Sequence, residues 1–166
     1  MSSLTFRQVH APDSPDYTRV LTLMEHTFPS NEIVPMNVQL SRPGNEVLAI
    51  YADDAFCGMI SLLTVHDITH ILFFAIVETC RNQGLGASVL SALREMKPGQ
   101  RIIADLERPA PDAADDLRTR RIGFYARNGF VPTQVTYTWR NENYIIFSNG
   151  GDLTRDEFHA FWRSFD

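Results

Sequence analysis

The sequence predicts an α/β fold of the mixed α+β kind, in which helices flank one central, twisted and mostly antiparallel sheet. Some segments alternate apolar and polar residues, as half-buried strands do, and others carry apolar residues at helical spacing. The two kinds of segment alternate along the chain. This order indicates a layered architecture and excludes a helix bundle or a β-sandwich.

The first part of the chain contains one strand and two helices. Leu4 to Val9 alternates as a strand, and Tyr17 to Phe28 carries an apolar helical stripe that Pro29 ends. Ser30 is a suitable N-cap for a second, short helix that continues through Leu40.

Three strands follow and are expected to form an antiparallel meander. Their predicted ranges are Glu46 to Tyr51, Ala55 to Val65 and Thr69 to Val77. The polar pairs Asp53-Asp54 and His66-Asp67 supply the turns between them.

The second half of the chain supplies three further helices and three further strands. The predicted helices cover Gly84 to Met96, Leu117 to Asn128 and Leu153 to Phe165. The predicted strands cover Arg101 to Leu106, Phe130 to Arg140 and Tyr144 to Phe147. We therefore expect about seven strands and four to five helices.

Length and composition indicate one globular domain over residues 1–166. The chain has 166 residues, of which 44% are apolar and 21% charged, and no repeat or linker is visible. A formal net charge of −5 argues against nucleic acid as a partner. Because no apolar run reaches a membrane span, no export signal is evident and Cys57 and Cys80 are the only cysteines, we expect a cytoplasmic protein without membrane contact.

The most informative segment is the buried strand Ile71 to Val77 followed by the glycine-containing stretch Arg81-Asn-Gln-Gly-Leu-Gly-Ala87. Free N–H groups at a helix N-terminus bind anions, and glycines let phosphate oxygens approach the backbone. The same two glycines would also be compatible with a flexible helix start that binds no ligand. A Walker loop is excluded because no Gly-Lys-Ser/Thr follows.

A dinucleotide-binding fold is the main rival for this segment. Asp105 and Glu107 lie about as far downstream as the acidic residue that contacts ribose in such folds. The third glycine is absent, however, since Val89 takes its place, and Gly84 lies seven positions after Val77, the last residue of the strand. The hypothesis that the protein is a nucleotide-dependent oxidoreductase is therefore less favoured.

Two motifs resemble those of the GCN5-related N-acetyltransferases, the GNAT family. Arg81 to Ala87 fits the family's Arg/Gln-x-x-Gly-x-Gly/Ala signature for acetyl-CoA at every specified position. The stretch from Phe124-Tyr125 to Gly129-Phe130 is similar to the family's helix-to-strand junction. The order of elements also matches over nearly the whole chain, so the resemblance implies the GNAT fold.

The resemblance further implies acetyl-CoA as acyl donor and a set of residues that contact it. The pantetheine arm would pair with backbone amides as an added strand, and the glycine turn would hold the pyrophosphate. The implied cofactor-binding residues are Ala75, Ile76, Val77, Arg81, Gln83, Gly84, Leu85, Gly86, Ala87, Ser88 and Tyr125.

Acetyl transfer to an amine requires a base, oxyanion stabilisation and protonation of the leaving thiolate, but no metal. Tyr125 matches the family position of the thiolate's acid, although it could simply pack against the sheet. Asp105 and Glu107 share one face of a strand, where proximity would raise the pKa of one carboxyl group. Glu107 is the preferred base. The alternative is that Glu107 is only a solvated or ion-paired residue at the end of the strand.

Glu32 is the second candidate base, because by resemblance it begins the helix that lines the acceptor pocket. The alternative is an ordinary acidic residue in the first turn of a helix.

Other polar residues receive no catalytic role. The cluster Arg118, Arg120 and Arg121 is as compatible with helix ion pairs, such as one from Asp116 to Arg120, as with anion binding. Surface positions are expected for the histidines at 26, 66, 70 and 159, and packed or idle thiols for both cysteines.

The sequence thus predicts an N-acetyltransferase that moves acetyl directly from acetyl-CoA to a primary amine on a small molecule or peptide. A non-catalytic acyl-CoA-binding or sensor module of the same fold is the alternative. Neither the acceptor, the acyl length nor the choice between monomer and homodimer can be read from these residues.

Overall fold

The computed structural model describes residues 3–109 and 117–165. These residues form seven strands, five α-helices and one 3₁₀ turn, Glu78–Cys80. The strands are β1 (Leu4–Gln8), β2 (Asn45–Ala52), β3 (Ala55–Val65), β4 (Ile68–Ile76), β5 (Arg101–Glu107), β6 (Val131–Trp139) and β7 (Glu142–Asn149). The helices are α1 (Pro15–Thr27), α2 (Met36–Ser41), α3 (Leu85–Met96), α4 (Leu117–Arg127) and α5 (Arg155–Arg163).

All seven strands belong to one mixed sheet in the order β1-β2-β3-β4-β5-β7-β6. The pairs β1/β2, β2/β3, β5/β7 and β6/β7 are antiparallel. The predicted α/β fold with a central sheet of about seven strands and up to five helices is therefore confirmed. The expectation of a single domain stays a prediction.

The described residues group into two compact units. The first unit contains residues 3–64 and 71–92. Its core joins α1 to the sheet, because Val20 and Met24 are fully buried in one apolar cluster with Ala49 of β2 and Met59 of β3. A β-bulge lies where Ile50 and Tyr51 face Gly58 and Phe56.

The second unit contains residues 65–70 with 93–109 and 117–165. Buried residues of β5 and β7, among them Ile103 and Ile146, form part of its core. Helix α5 begins at a capping box in which the Thr154 hydroxyl accepts from the Glu157 N–H while the Glu157 carboxylate accepts from the Thr154 N–H. Phe158 and Phe161 are the buried residues of this helix.

The second helix begins later than the sequence indicated. α2 starts at Met36, whereas residues 30–32 form a turn that a hydrogen bond from the Glu32 N–H to the Pro29 carbonyl closes at 2.9 Å. Pro35 is the reason, since proline has no N–H for a helix interior and disfavours helical geometry at Val34 before it. The prediction of a helix from Ser30 was wrong.

Candidate active site

The turn between β4 and α3 has the geometry of an anion-binding site. Asn82 and Gly84 both have positive φ, 63° and 76°, and α3 begins directly afterwards at Leu85. A Cβ added to Gly84 would meet no atom within 4 Å, so the backbone faces open space at this point. The first N–H groups of a helix lack intrahelical acceptors, which makes this turn suitable for phosphate oxygens.

Side chains of the turn are held by its own backbone. The Arg81 Nε–H donates to the Ile76 carbonyl at 3.0 Å, and the Gln83 amide donates to the Thr79 carbonyl at 3.3 Å. Ser88 donates through its hydroxyl to the Gly84 carbonyl at 3.1 Å. These bonds keep the Arg81 charge beside the turn and shape the first turn of α3, which contains Gly86 and Ala87.

The end of β4 offers only part of its backbone to a ligand. The Val77 N–H donates to the Cys57 carbonyl of β3 at 2.8 Å, so this amide is already satisfied. Peptide groups alternate in direction along a strand, which turns Ala75 towards β3 as well and Ile76 away from it. Of the three positions that the resemblance implied, Ile76 is the one whose peptide groups point away from β3.

Glu32 lies in a loop that a buried polar network anchors. The fully buried Gln39 donates to the Val34 carbonyl at 2.7 Å and accepts from the Ser61 hydroxyl at 2.6 Å. The network therefore ties residues 30–35 to β3. Glu32 belongs to a turn rather than to a first helical turn, so the helix dipole does not explain its presence.

Tyr125, in the second unit, is a buried residue of α4. Its ring makes edge contacts with Phe124 and Phe130 at 5.3 and 5.2 Å between centroids. The Phe130 N–H donates to the Tyr125 carbonyl across Gly129, whose φ of 88° ends the helix, as a C-terminal glycine cap does. This junction explains the spacing of the second motif.

The Tyr125 hydroxyl makes no hydrogen bond with any described residue. Burial raises the pKa of Tyr125 to about 12; the charge of Arg121 lowers it and that of Asp105 raises it further. The phenol therefore stays protonated at neutral pH and has a proton to donate.

Asp105 of β5 is bound by two donors that the sequence analysis did not single out. The Tyr137 hydroxyl donates to Oδ2 at 2.6 Å, and His70 Nε2 lies 3.3 Å from Oδ1. Burial raises the pKa of Asp105, but the hydrogen bonds and charge of His70 and the bond from Tyr137 more than offset this, so the net pKa is lowered. The expected rise in a carboxyl pKa does not occur at Asp105.

His70 is buried on β4, which corrects its expected surface position. Its ring contacts Phe161 and Trp162 at 5.8 and 5.5 Å, and its Nδ1 is buried without a hydrogen bond among the described residues. Since the Asp105 carboxylate only accepts, His70 Nε2 carries the hydrogen. A histidine inside a strand whose other residues, apart from Thr69, are apolar was the sequence signal for this site. The other three singled-out histidines, at 26, 66 and 159, are exposed as expected.

Glu107 points into an ion pair rather than into a carboxylate pair. Arg118 Nε lies 2.8 Å from Glu107 Oε2, and the same guanidinium reaches Glu142 at 2.9 Å. This is the ion-paired role that the sequence left open beside that of a base. It also gives Arg118 a structural contact, whereas the proposed pair of Arg120 with Asp116 lies outside the described residues.

The thiols differ in their environment. Cys57 is buried and Cys80 is partly exposed. Burial raises the pKa of the Cys57 thiol to about 11, with a smaller contribution from Cys80.

Within residues 3–109 and 117–165, no three His, Cys, Asp or Glu side chains come together as metal ligands would. In the same residues no helix has both the length and the apolar character to cross a membrane.

A family model described as an acetyltransferase (GNAT) domain matches residues 43–132, which include β2 to α4 and the glycine turn. Among curated proteins no sequence matches the chain significantly.

Solved structures with this fold include three informative neighbours. A GNAT-family acetyltransferase from Bacteroides thetaiotaomicron has a TM-score of 0.79 at 22% identity, over 97% of this chain and 94% of the other. One from Elizabethkingia anophelis, with acetyl-CoA bound, has a TM-score of 0.59 at 16% identity, over 88% and 97%. An aminoglycoside 6'-N-acetyltransferase complexed with coenzyme A has a TM-score of 0.67 at 12% identity, over 87% and 96%. At these identities the likeness concerns the fold.

Proposed function

From the premise that the chain belongs to the GNAT acetyltransferase family, we propose that it is an acetyl-CoA-dependent N-acetyltransferase acting on a primary amine. The observation that carries the proposal is the open turn at Gly84, which combines positive φ, free space and a helix N-terminus directly after β4. Acetyl-CoA, which is bound in one structural neighbour, and coenzyme A, which is bound in another, each carry a pyrophosphate that such a turn would hold.

The cofactor would be bound mainly by backbone groups. Its pyrophosphate would accept hydrogen bonds from the turn at Gln83, Gly84 and Leu85 and from the first turn of α3, with Arg81 adding positive charge. Its pantetheine carbonyl would accept a hydrogen bond from the Ile76 N–H, which is directed away from β3, while the Ile76 carbonyl accepts from Arg81. The remaining implied contacts, Ala75, Val77, Gly86, Ala87, Ser88 and Tyr125, stay predictions.

The reaction would be a direct transfer. The neutral amine nitrogen attacks the thioester carbonyl carbon, the C–S bond breaks, and the amine's proton passes to a base. Tyr125 would donate a hydrogen bond to the sulfur as negative charge develops there. Because its pKa of about 12 exceeds the value near 8.5 of an ordinary thiol, full proton transfer from Tyr125 is uphill, and the product thiolate would take up a proton from water.

The base is proposed to be Glu107 or Glu32. Glu107 would have to work beside Arg118, whose guanidinium binds one of its oxygens. Glu32 lies in the anchored loop before α2. A Glu107→Gln variant with an unchanged pH–rate profile would assign the base to Glu32. Glu142→Gln is the matched control, because it removes the other carboxylate that contacts Arg118.

The decisive experiment measures thiol release from acetyl-CoA over a panel of amines and amine-bearing peptides. Reactions without acceptor subtract hydrolysis, and a Cys57→Ser/Cys80→Ser background removes the protein's own thiols. We expect release that depends on one class of amine and falls in Tyr125→Phe. We further propose that the reaction takes place in the cytoplasm.

The same experiment separates the competing functions. Binding of acetyl-CoA by calorimetry without release with any amine would replace the enzyme by an acyl-CoA-binding module. Absence of acetyl-CoA binding would overturn the proposed use of this cofactor.

A further inference from the structure

The Asp105 side chain carries an ionised carboxylate and is partly exposed to solvent. Its side chain is 30% exposed, whereas the His70 side chain that binds it is 3% exposed. The bonds from His70 and Tyr137 occupy one position on each carboxylate oxygen. A carboxylate offers about four acceptor positions, so the group retains capacity on its exposed side.

The donors make Asp105 a stable anion rather than a proton acceptor. Both hydrogen bonds favour the charged form, and the lowered pKa of Asp105 agrees with this. A base for an amine must gain a proton readily. Asp105 is therefore better suited to hold a cation permanently than to remove a proton.

The Tyr137 ring, whose hydroxyl binds Asp105, belongs to an aromatic cluster in which Phe158 also stacks on it with centroids 5.8 Å apart. The Tyr137 ring stacks on Tyr144 with centroids 5.0 Å apart, and Tyr144 contacts Trp139 at 6.4 Å. Trp139 is 41% exposed and already holds the Arg140 guanidinium 4.3 Å from its ring centroid. One aromatic face of this cluster, that of Trp139, therefore already binds a cation of the chain itself.

Asp105 also lies in the same unit as Tyr125, the proposed hydrogen-bond donor to the sulfur. Helix α4, which carries Tyr125, packs against β5, which carries Asp105. The charge of Asp105 acts on the Tyr125 hydroxyl strongly enough to contribute to its raised pKa.

We infer that the Asp105 carboxylate, positioned by His70 and Tyr137, binds a second ammonium group of the acceptor that does not react, so that the acceptor is a diamine or a longer polycation. The attacking amine must be neutral, and a carboxylate bound to it would stabilise its protonated form and oppose attack. An anionic anchor therefore serves the reaction best when it holds a different nitrogen. This inference rests on the proposed function and narrows its substrate class.

Paired acceptors provide the test. Linear diamines of three to six carbons are compared with monoamines of the same length, and kcat/KM is measured for each with the wild-type protein. We expect at least one diamine to exceed its monoamine about tenfold or more, as a hydrogen-bonded ion pair allows. In Asp105→Asn this ratio should fall towards one through a raised KM for the diamine, with unchanged acetyl-CoA affinity.

Two further variants control for folding and charge. Asp156→Asn removes a negative charge from an exposed position on α5 and should leave the ratio unchanged. Tyr137→Phe keeps the stacked ring but removes one donor, and should reduce the ratio by a smaller factor. If Asp105→Asn fails to fold, Tyr137→Phe decides the question.

Equal kcat/KM for the diamine and the monoamine of every pair in the wild-type protein would overturn the inference and leave the proposed function intact. An unchanged diamine-to-monoamine ratio in Asp105→Asn would have the same meaning. Diamine binding is also measured by calorimetry in the presence of coenzyme A. Binding that Asp105→Asn weakens, without turnover, would support the ammonium site and contradict the enzyme. If neither turnover nor diamine binding is observed, both the ammonium site and the proposed N-acetyltransferase function are overturned.

Discussion

Gly84 and Gly99 have the same backbone φ of 76°, and a Cβ at either position would meet no atom within 4 Å. Gly84 belongs to the turn before α3, whereas Gly99 follows that helix. The two glycines therefore impose the same local strain when replaced, but only Gly84 belongs to the proposed cofactor site.

Replacing Gly84 by glutamate should weaken acetyl-CoA binding. A carboxylate there would repel the pyrophosphate and obstruct its hydrogen bonds to the turn, each worth about 1.5–3 kcal/mol for a charged acceptor, so we expect Kd to rise about tenfold to a hundredfold. Isothermal titration calorimetry measures this directly. Gly99→Glu is the matched control and should reproduce any loss of stability without the loss of affinity; equal affinities in the two variants would remove the glycine turn from the site.

Tyr125→Phe should reduce turnover without reducing acetyl-CoA affinity. The ring contacts with Phe124 and Phe130 persist, while the hydroxyl that would stabilise the developing thiolate is lost. Losing one hydrogen bond to a charged atom corresponds to a decrease in kcat of about tenfold to a hundredfold. Steady-state kinetics at saturating acetyl-CoA test it. Tyr51→Phe, which removes a hydroxyl bonded to Asp16 and Arg19 in the first unit, controls for the loss of a phenol outside the proposed site.

The raised pKa of Tyr125 also has a consequence for pH dependence. Because its pKa is about 12, the phenol stays protonated across the range in which the enzyme would be assayed. An alkaline loss of activity below pH 10 should therefore persist in Tyr125→Phe, since another group causes it. Its disappearance in the variant would contradict the assigned protonation state.

Glu157 should stabilise the fold only above acidic pH. The hydrogen bond from Arg101, followed by that from the Thr154 backbone, lowers the pKa of Glu157 from 4.5 to about 2. A lowered folded-state pKa means that the stabilisation is present above about pH 4.5 and is lost as pH falls towards 2. Because Glu157 is 39% exposed, screening limits the contribution of its ion pair to less than about 1 kcal/mol.

The corresponding measurement compares wild type with Glu157→Gln by urea unfolding. Glutamine keeps the cap acceptor but removes the charge, so the variant should be less stable at pH 7 and equal to wild type near pH 2. A difference that is independent of pH would show that packing, not charge, makes the contribution.

One of the two thiols should react rapidly with Ellman's reagent. Cys80 is accessible, whereas Cys57 is buried and its pKa of about 11 gives it a thiolate fraction roughly a hundredfold below that of an ordinary thiol. The fast phase should disappear in Cys80→Ser and remain in Cys57→Ser. Two fast thiols in the native protein would contradict the buried position of Cys57.

Local patterns predicted most elements because their signals are short-range. β3 has the predicted bounds, Ala55–Val65, since alternation and the flanking turns specify both ends. α2 was misplaced because the N-cap signal at Ser30 is local, whereas in the folded chain Pro35 prevents a helix from passing through it.

The polar contacts of the candidate site were harder to predict because they join distant segments. Asp105 and Glu107 do lie two residues apart on β5, but their partners come from residues 70, 137 and 118. Neither the burial of His70 nor the donor position of Tyr137 follows from spacing. The direction of the Asp105 pKa shift depends on these partners, so the two-residue spacing on the strand could not predict it.

By itself the sequence determined the layered α/β fold, the glycine turn before α3 and the aromatic junction around Tyr125, since each depends on residues that are neighbours along the chain. Only the tertiary structure decided which carboxylate is bound by His70 and Tyr137 and which by Arg118. Electrostatic environment depends on distances in space between segments far apart in sequence, and those distances exist only once the sheet has formed.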